Sequence, residues 1–173
     1  MTPRVVLVGL PGAGKTTTGR RLARILGVPF ADSDELVEAD TGRSVAELFA
    51  ADGETAFRAA EAAAVITALR DFDGVLSLGG GAVMTESVRT ALSESAAPVV
   101  LLRSQLPTLV ARVGDATTRP LLAERPAQRL DELAEERTPI YRQLATLVVD
   151  TDERTPGQVA SQIAARLHRA GAT

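Results

Sequence analysis

The sequence contains no cysteine, no asparagine and no tryptophan, and it has one lysine, one histidine and one tyrosine in 173 residues. The absence of cysteine excludes disulfides, zinc–thiolate sites and thiol nucleophiles. No apolar run reaches the ~18 residues of a membrane span, and the start lacks the pattern of a secretory signal. We therefore expect a cytoplasmic protein with no membrane partner.

Charge and aromatic content argue against nucleic acid as a partner. The chain carries 19 basic and 22 acidic residues, a net charge of −3, whereas nucleic-acid-binding domains are usually basic. Four phenylalanines and one tyrosine are too few for a platform on which bases stack. The length is that of one domain, and we expect a single domain over residues 1–173 that is a monomer.

Short apolar runs alternate with segments of helical spacing along the chain. The predicted strands are residues 4–8, 28–31, 74–78, 98–103 and 146–150. The predicted helices are residues 15–26, 34–40, 44–51, 54–70, 86–93, 106–113 and 156–169. Near-continuous apolar strands are typical of a parallel sheet that is buried on both faces. The alternation therefore predicts an α/β fold with a mostly parallel sheet.

Two regions interrupt this alternation. Gly42 and Gly53 separate short helices, which predicts a small helical insertion between the second and third strands. Ser44 and Glu47 have the spacing of a capping box at one helix start. Residues 114–125 lack apolar periodicity and are long for a connector, which is typical of a lid.

Residues 9–16, Gly-Leu-Pro-Gly-Ala-Gly-Lys-Thr, match the phosphate-loop pattern G-x-x-x-x-G-K-[ST] in full. The match follows a predicted strand and opens a predicted helix, as the motif requires. Its glycines let backbone N–H groups converge on phosphate oxygens, and the helix N-terminus adds partial positive charge. We expect Lys15, the only lysine, to reach the β- and γ-phosphates and the Thr16 hydroxyl to bind Mg²⁺. A guanine-reading Asn-Lys-x-Asp element is absent, which favours ATP.

Asp32 and Asp34 follow the second predicted strand, at the edge where open α/β sheets bind ligands. Side chains at i and i+2 of an extended segment point the same way, so one carboxylate can support Mg²⁺ while the other accepts hydrogen bonds from a hydroxyl. The third strand has Ser77 where a Walker B strand ends in aspartate, which makes Asp32 the better carboxylate for the metal. The alternative is that one aspartate only caps the next helix.

Two further features are less specific by themselves. Three glycines, residues 79–81, allow a ligand to approach the backbone closely, or they form a tight turn. Arg58 and Glu61 alone indicate a solvent-exposed ion pair on a helix. Tyr141 and the phenylalanines are expected to be packing groups.

These motifs occur together in the order and spacing of one family, the shikimate kinases. They are the phosphate loop, Asp32-Ser33-Asp34, Gly53-Glu54…Phe57-Arg58…Glu61, Ser77-Leu78-Gly79-Gly80-Gly81, Arg119-Pro120-Leu121-Leu122 and Arg137-Thr138-Pro139-Ile140-Tyr141. The chain resembles this family over about residues 4–168. The resemblance implies an α/β P-loop NTPase fold of the nucleoside-monophosphate-kinase type, with three α/β/α layers and a five-stranded parallel sheet in the order 2-3-1-4-5. It also implies a substrate-binding helical insertion at about residues 33–61 and a lid at about residues 112–125.

The activity that the resemblance implies is transfer of the γ-phosphate of ATP to the 3-hydroxyl of shikimate, in aromatic amino-acid biosynthesis, with Mg²⁺ as cofactor. The shikimate residues would be Asp34, Arg58, Gly79, Gly80, Gly81 and Arg137. The nucleotide residues would be Gly12, Ala13, Gly14, Lys15, Thr16, Thr17, Arg112, Arg119, Arg154 and Pro156. The metal residues would be Thr16 and Asp32, and the catalytic residues would be Lys15, Asp34 and Arg119. Ser33 departs from the threonine that is common between the two aspartates.

The chemistry of shikimate agrees with these assignments. Arg58 and Arg137 can grip its carboxylate in the bidentate way that a planar guanidinium favours, and Asp34 can accept its hydroxyls. Two alternatives stay open: another small-metabolite kinase of the gluconate kinase type, or a module that binds ATP without transferring phosphate.

Overall fold

The sheet occupies the centre of the structure, a computed structural model that describes residues 2–113 and 125–170. Its strands are β1 (Val5–Val8), β2 (Phe30–Asp32), β3 (Val75–Ser77), β4 (Val99–Arg103) and β5 (Leu147–Asp150). They lie in the order β2-β3-β1-β4-β5, and all four neighbouring pairs are parallel. The sheet order that the resemblance implied is confirmed.

The helices cover both faces of the sheet. They are α1 (Lys15–Leu26), α2 (Ser33–Thr41), α3 (Val45–Asp71), α4 (Glu86–Glu94), α5 (Leu106–Val113), α6 (Pro126–Leu144) and α7 (Pro156–Ala170), with a 3₁₀ turn at Ala82–Met84. Along β1, Val5 and Leu7 pack into one core cluster, and Val6 and Val8 pack into the other. Helices α1, α5 and α7 contribute to the first cluster, and α3 and α4 contribute to the second. The three-layer α/β/α arrangement is therefore confirmed.

The helical insertion begins as predicted, but its two helices are joined. Ser44 caps α3 in a capping box with Glu47, which is confirmed. The predicted helices 44–51 and 54–70 form one segment that is broken at Gly53, whose φ of 81° and ψ of 176° are not helical. A φ in this range suits glycine because it has no Cβ. Helices α2 and α3 share a small apolar cluster of Val37, Leu48, Phe57 and Ala64.

Helix α6 is the element that the spacing of the sequence did not predict. Its buried face consists of Leu130, Leu133, Arg137 and Tyr141. The charged Arg137 interrupts the apolar stripe, and Pro139 inside the helix normally indicates a helix end. Because of these two features, the helical spacing of this 19-residue segment was not recognised in the sequence.

The phosphate-loop pattern lies between the end of β1 and the start of α1, as its context required. Parallel strands place their carboxyl ends at one edge, so this loop lies beside the ends of β2 and β3. None of the helices within residues 2–113 and 125–170 has the length and apolar character of a membrane crossing. Arg119 and most of the predicted lid, residues 112–125, lie outside the described residues.

Candidate active site

Two cavities open at the carboxyl edge of the sheet, and they share Lys15 and Thr16. The first, here called the loop cavity, contains nine of the predicted residues: Gly12, Ala13, Gly14, Lys15, Thr16, Thr17, Arg112, Arg154 and Pro156. The second, here called the charged cavity, has a volume of about 380 Å³ and contains Asp32, Asp34, Arg58, Gly79, Gly80, Gly81 and Arg137. The structure therefore brings together every predicted site residue that it describes.

The loop cavity is built mainly from backbone. Gly12 and Gly14 have φ values of 84° and 86°, and Gly14 is the N-cap of α1. A Cβ on Gly12 would lie 2.8 Å from Cγ2 of Val113, so α5 leaves no room for a side chain there. Glycine therefore fits this loop, and backbone N–H groups in such a loop at a helix N-terminus suit phosphate oxygens.

Lys15 is held at the wall that the two cavities share. Its ammonium donates to the carbonyl oxygens of Gly9 at 2.8 Å and Leu10 at 3.1 Å. These bonds keep the charge beside the loop, within reach of any group that spans the two cavities.

Asp32 caps the next helix, which was the alternative, and it also bonds Thr16, the other residue predicted to bind the metal. One carboxylate oxygen accepts from the backbone N–H of Asp34 at 3.1 Å and caps α2. The other accepts from the Thr16 hydroxyl at 2.9 Å. The hydroxyl and carboxylate oxygens are hard donors that suit Mg²⁺, which commonly takes one or two side chains and completes its shell with phosphate and water. Within the described ranges no group of three or more His, Cys, Asp or Glu could hold a metal alone, so phosphate oxygens would have to complete this site.

Arg58 and Glu61 form an ion pair of 2.6 Å between Nη1 and Oε2. The expectation of a solvent-exposed pair is wrong, because the Glu61 side chain is 1% exposed and that of Arg58 is 17% exposed. The other carboxylate oxygen of Glu61 has no hydrogen-bond partner. Burial raises the pKa of Glu61 to about 7, although the neighbouring Arg58 lowers it. This buried pair holds the Arg58 guanidinium at the wall of the charged cavity.

Arg137 enters the same cavity from α6 and is 5% exposed. Its Nε has no hydrogen-bond partner within the protein. A buried guanidinium with an unmet donor is costly unless a ligand satisfies it. Arg58 and Arg137 therefore give the cavity two cations that suit a carboxylate.

Asp34 lines the charged cavity from the first turn of α2. Burial raises its pKa, and so does the negative charge of Asp32, whereas Lys15 and Arg58 lower it. A carboxylate with a raised pKa accepts a proton more readily than an exposed aspartate. Asp34 is thus suited to a ligand hydroxyl.

The glycine run lies directly against these charges. A Cβ on Gly79 would approach Glu61 Oε1 to 2.5 Å, and one on Gly81 would collide with the Arg58 guanidinium. The Gly79 N–H donates to the hydroxyl of Ser33 at 2.8 Å. Serine at position 33, where the family pattern commonly has threonine, therefore retains a hydroxyl that fixes the end of β3.

Apolar residues form the remaining wall, which the sequence reasoning did not assign. Val45, Phe49, Phe57 and Leu133 line the charged cavity. The rings of Phe49 and Phe57 lie 4.8 Å apart between centroids. Their spacing along α3 indicates only packing, so nothing in the sequence alone distinguished this wall from a core.

Arg112 closes the far end of the loop cavity through four hydrogen bonds. Its guanidinium donates to the Gly12 carbonyl at 3.3 Å, the Ser104 hydroxyl at 3.2 Å, and the Thr151 hydroxyl and carbonyl at 3.0 and 3.2 Å. Arg154, by contrast, is exposed and donates to Gln162. The first arginine is oriented by its neighbours, whereas the second is bound on the surface of α7.

The chain is similar to known proteins over almost its whole length. The family model described as shikimate kinase matches residues 11–168. A shikimate kinase of Mycobacterium avium (strain 104) is 51% identical over 169 residues, which cover 96% of this chain and 94% of that protein. A solved structure of shikimate kinase from Acinetobacter baumannii in complex with shikimate has a TM-score of 0.90 and 33% identity, over 98% of this chain and 94% of the other.

A gluconokinase structure from Sinorhizobium meliloti has a TM-score of 0.68 and 23% identity. At that identity the likeness shows a common fold and no more. The family model and the high identity to the curated relative carry a stronger conclusion: the chain belongs to the shikimate kinase family.

Proposed function

We propose that this protein transfers the γ-phosphoryl group of ATP to the 3-hydroxyl of shikimate. The observation that carries the proposal is the charged cavity, where two arginines and one aspartate surround the glycine run beside the phosphate loop. A small acid with several hydroxyls matches this set of groups, and the relatives of this chain are named shikimate kinases.

The acceptor carboxylate binds between Arg58 and Arg137. The Arg137 guanidinium gains the partner that its Nε lacks within the protein, and charge-assisted bonds of this kind are about twice as strong as neutral ones. The backbone of the glycine run lies against both arginines, so its N–H groups can reach the same ligand.

The apolar wall favours a ring over an open chain. Phe49 and Phe57 present carbon surface to the cavity, which suits the carbon skeleton of a cyclohexene. Gluconate carries a hydroxyl on almost every carbon and would leave these hydroxyls against apolar groups, at a cost in free energy. This wall is the feature that discriminates between the two acceptors.

Asp34 orients the attacking hydroxyl and receives its proton. The acceptor oxygen then forms a bond to the γ-phosphorus as the bond to the β–γ bridging oxygen breaks and ADP leaves. Lys15 and the backbone N–H groups of the loop stabilise the charge that develops on the phosphate oxygens. A Mg²⁺ ion held by Thr16 and Asp32 would neutralise phosphate charge during transfer.

Several expectations from the sequence stay predictions. Arg119 is assigned to the transferring phosphate by resemblance alone. The lid at about residues 112–125, the single-domain organisation, the monomeric state and the cytoplasmic location likewise stay predictions. So do the absence of nucleic-acid and membrane partners and the nucleotide-binding roles of Arg112, Arg154 and Pro156.

A coupled ADP-release assay tests the proposal. We expect MgATP turnover to depend on shikimate, with gluconate as the matched carboxylate-bearing control. Phosphorus NMR of the product should show one phosphate ester at the 3-hydroxyl. Turnover with gluconate instead would support the other kinase class, and ATP binding with no turnover for either acid would support a binding module. Asp34→Asn should bind both ligands yet lose turnover.

A further inference from the structure

Tyr141 is buried against the phosphate loop and the glycine run, and none of the roles proposed above uses it. It lies on α6 and is 1% exposed. Its hydroxyl is 2.5 Å from the Gly80 carbonyl oxygen and 3.2 Å from the Gly9 carbonyl oxygen. Gly9 belongs to the phosphate loop and Gly80 to the glycine run, so one side chain contacts both ligand-binding segments.

The phenol has a single hydrogen for these two acceptors. The shorter distance identifies Gly80 as the main acceptor, and the Gly9 carbonyl also receives the Lys15 ammonium at 2.8 Å. Burial raises the pKa of Tyr141 to about 12, so the hydroxyl keeps its hydrogen at neutral pH. The bond to the glycine run is therefore always available.

The two loops are in close contact at the position that Tyr141 bridges. A Cβ on Gly80 would lie 3.2 Å from Cδ of Pro11 and 3.4 Å from the Gly9 carbonyl oxygen. It would also lie 3.2 Å from Nη1 of Arg137. No spacer separates the loop that binds phosphate from the segment that binds the acceptor.

Helix α6 carries Arg137 one turn before Tyr141, and the two side chains share its buried face. The same helix thus holds the acceptor carboxylate through one residue and the two loops through the other. Because both side chains come from adjacent turns of one helix, a shift of either loop relative to Tyr141 is also a shift relative to Arg137.

We propose that Tyr141 is a positioning residue whose hydroxyl sets the separation between the phosphate loop and the glycine run, and thereby between the γ-phosphate and the acceptor hydroxyl. The inference rests on the proposed kinase function. It assigns to Tyr141 an effect on transfer and not on the binding of either ligand alone.

Tyr141→Phe keeps the ring and removes only the hydroxyl. Misplacement of reacting groups by about 1 Å lowers a rate by as much as about 10²-fold, so we expect kcat to fall about 10- to 100-fold. The dissociation constants of MgATP and shikimate, each measured alone, should stay within about threefold of wild type. More ADP should form per shikimate 3-phosphate, because a displaced acceptor lets water compete.

Thr146→Val is the matched control. The Thr146 hydroxyl also joins two backbone groups, donating to the Val99 carbonyl and accepting from the Val99 N–H, but it lies at the opposite end of β4 and β5 from the cavities. The Thr146→Val variant should have a lower free energy of unfolding, with kcat and the ratio of ADP to shikimate 3-phosphate unchanged. If Tyr141→Phe behaves like this control, the hydroxyl is only structural and the proposal is wrong.

A second measurement needs no substitution that could unfold the protein. Tyr141 is the only tyrosine in the chain, so growth on 3-fluorotyrosine places one fluorine reporter beside this hydroxyl. Its ¹⁹F resonance should shift when ADP binds and, separately, when shikimate binds. A resonance that responds to neither ligand, or to only one, would contradict the proposal that Tyr141 connects the phosphate loop with the glycine run. A wild-type protein without shikimate-dependent turnover would instead refute the proposed function, and the ADP response would still report the loop contact.

Discussion

The loop cavity and the charged cavity are built in different ways. The first uses backbone N–H groups and one ammonium, all within eight consecutive residues, to suit phosphate. The second uses buried side chains from α2, α3 and α6, together with the glycine run after β3. Phosphate is common to many substrates, so a contiguous motif suffices for it. A particular acid needs charged groups that only the whole fold can bring together.

The largest effect should come from Lys15→Arg, which tests whether the loop cavity tolerates a change of its lysine. A planar guanidinium is larger than the ammonium that now bonds Gly9 and Leu10. We expect kcat to fall about 10³-fold, as when a transition-state donor is lost, while shikimate affinity stays normal. Amine acylation offers a check, because only Lys15 and the N-terminus can react; inactivation should be prevented by MgATP. Activity that survives full acylation of Lys15 would contradict its role.

Arg137→Ala tests the division between the two cavities. Loss of a charge-assisted bond should weaken use of shikimate by about 2–4 kcal/mol, or about 30- to 1000-fold in kcat/KM. Affinity for MgATP without shikimate should stay near normal. Arg129→Ala on the same helix is the control, since that arginine pairs with Glu132 on the exposed face. A collapse of ATP affinity in Arg137→Ala would show that the cavities are not separate.

Glu61, in the charged cavity, makes the stability of the protein depend on pH. Its pKa rises from 4.5 in the unfolded chain to about 7 in the fold, mainly through burial. Between these values the folded protein keeps a proton that the unfolded chain releases, so stability falls as the pH rises towards 7 and is level above it. Asp34, Arg58 and Arg137 are its charged neighbours, and the raised pKa of Asp34 acts in the same direction.

Urea unfolding of wild type and Glu61→Gln between pH 5.5 and 8 measures how much Glu61 contributes to the pH dependence of the free energy of unfolding. The stability of wild type relative to the variant should fall by about 2 kcal/mol over that range. Glu135→Gln is the control, because its carboxylate stays in water in both states. A difference that does not change with pH would show that Glu61 is ionised throughout.

The smallest expected effect concerns the start of α3, where Val45 lines the charged cavity. Ser44→Ala removes one half of the capping box and should lower the free energy of unfolding by about 1 kcal/mol, with kcat unchanged. Ser93→Ala is the matched control, since that hydroxyl donates to the Arg89 carbonyl within α4; its effect should stay within about 0.5 kcal/mol. A fall in kcat for Ser44→Ala would mean that the insertion, and not its charged side chains alone, limits turnover.

The difference between a contiguous motif and a site assembled from distant segments also explains what the sequence could predict. The alternating strands and the strand–loop–helix context of the phosphate-loop pattern depend on local spacing, and both are confirmed. Asp32 and Asp34 could be placed at the sheet edge because they follow a strand directly. Arg137 was found by resemblance alone, since its charge and Pro139 disguise the periodicity of α6.

The spacing of residues along the chain did not predict which side chains of the site are buried. Arg58 and Glu61 have the spacing of a surface pair, but Gly79 and Gly81 approach them closely in the fold. Tyr141 was expected to be a packing group, and it is buried. The two carbonyls that it reaches are 132 and 61 residues away along the chain, and no spacing rule connects such distant positions.

The contact of Gly80 with Pro11 and Arg137 also bears on how this protein can evolve. A side chain added at Gly80 would press on the phosphate loop and on Arg137 together, so we expect a new substrate preference gained there to alter ATP use as well. The apolar wall on α3 touches only the charged cavity. We therefore expect changes of substrate range to arise first at Val45 and Phe49, where the nucleotide is not affected.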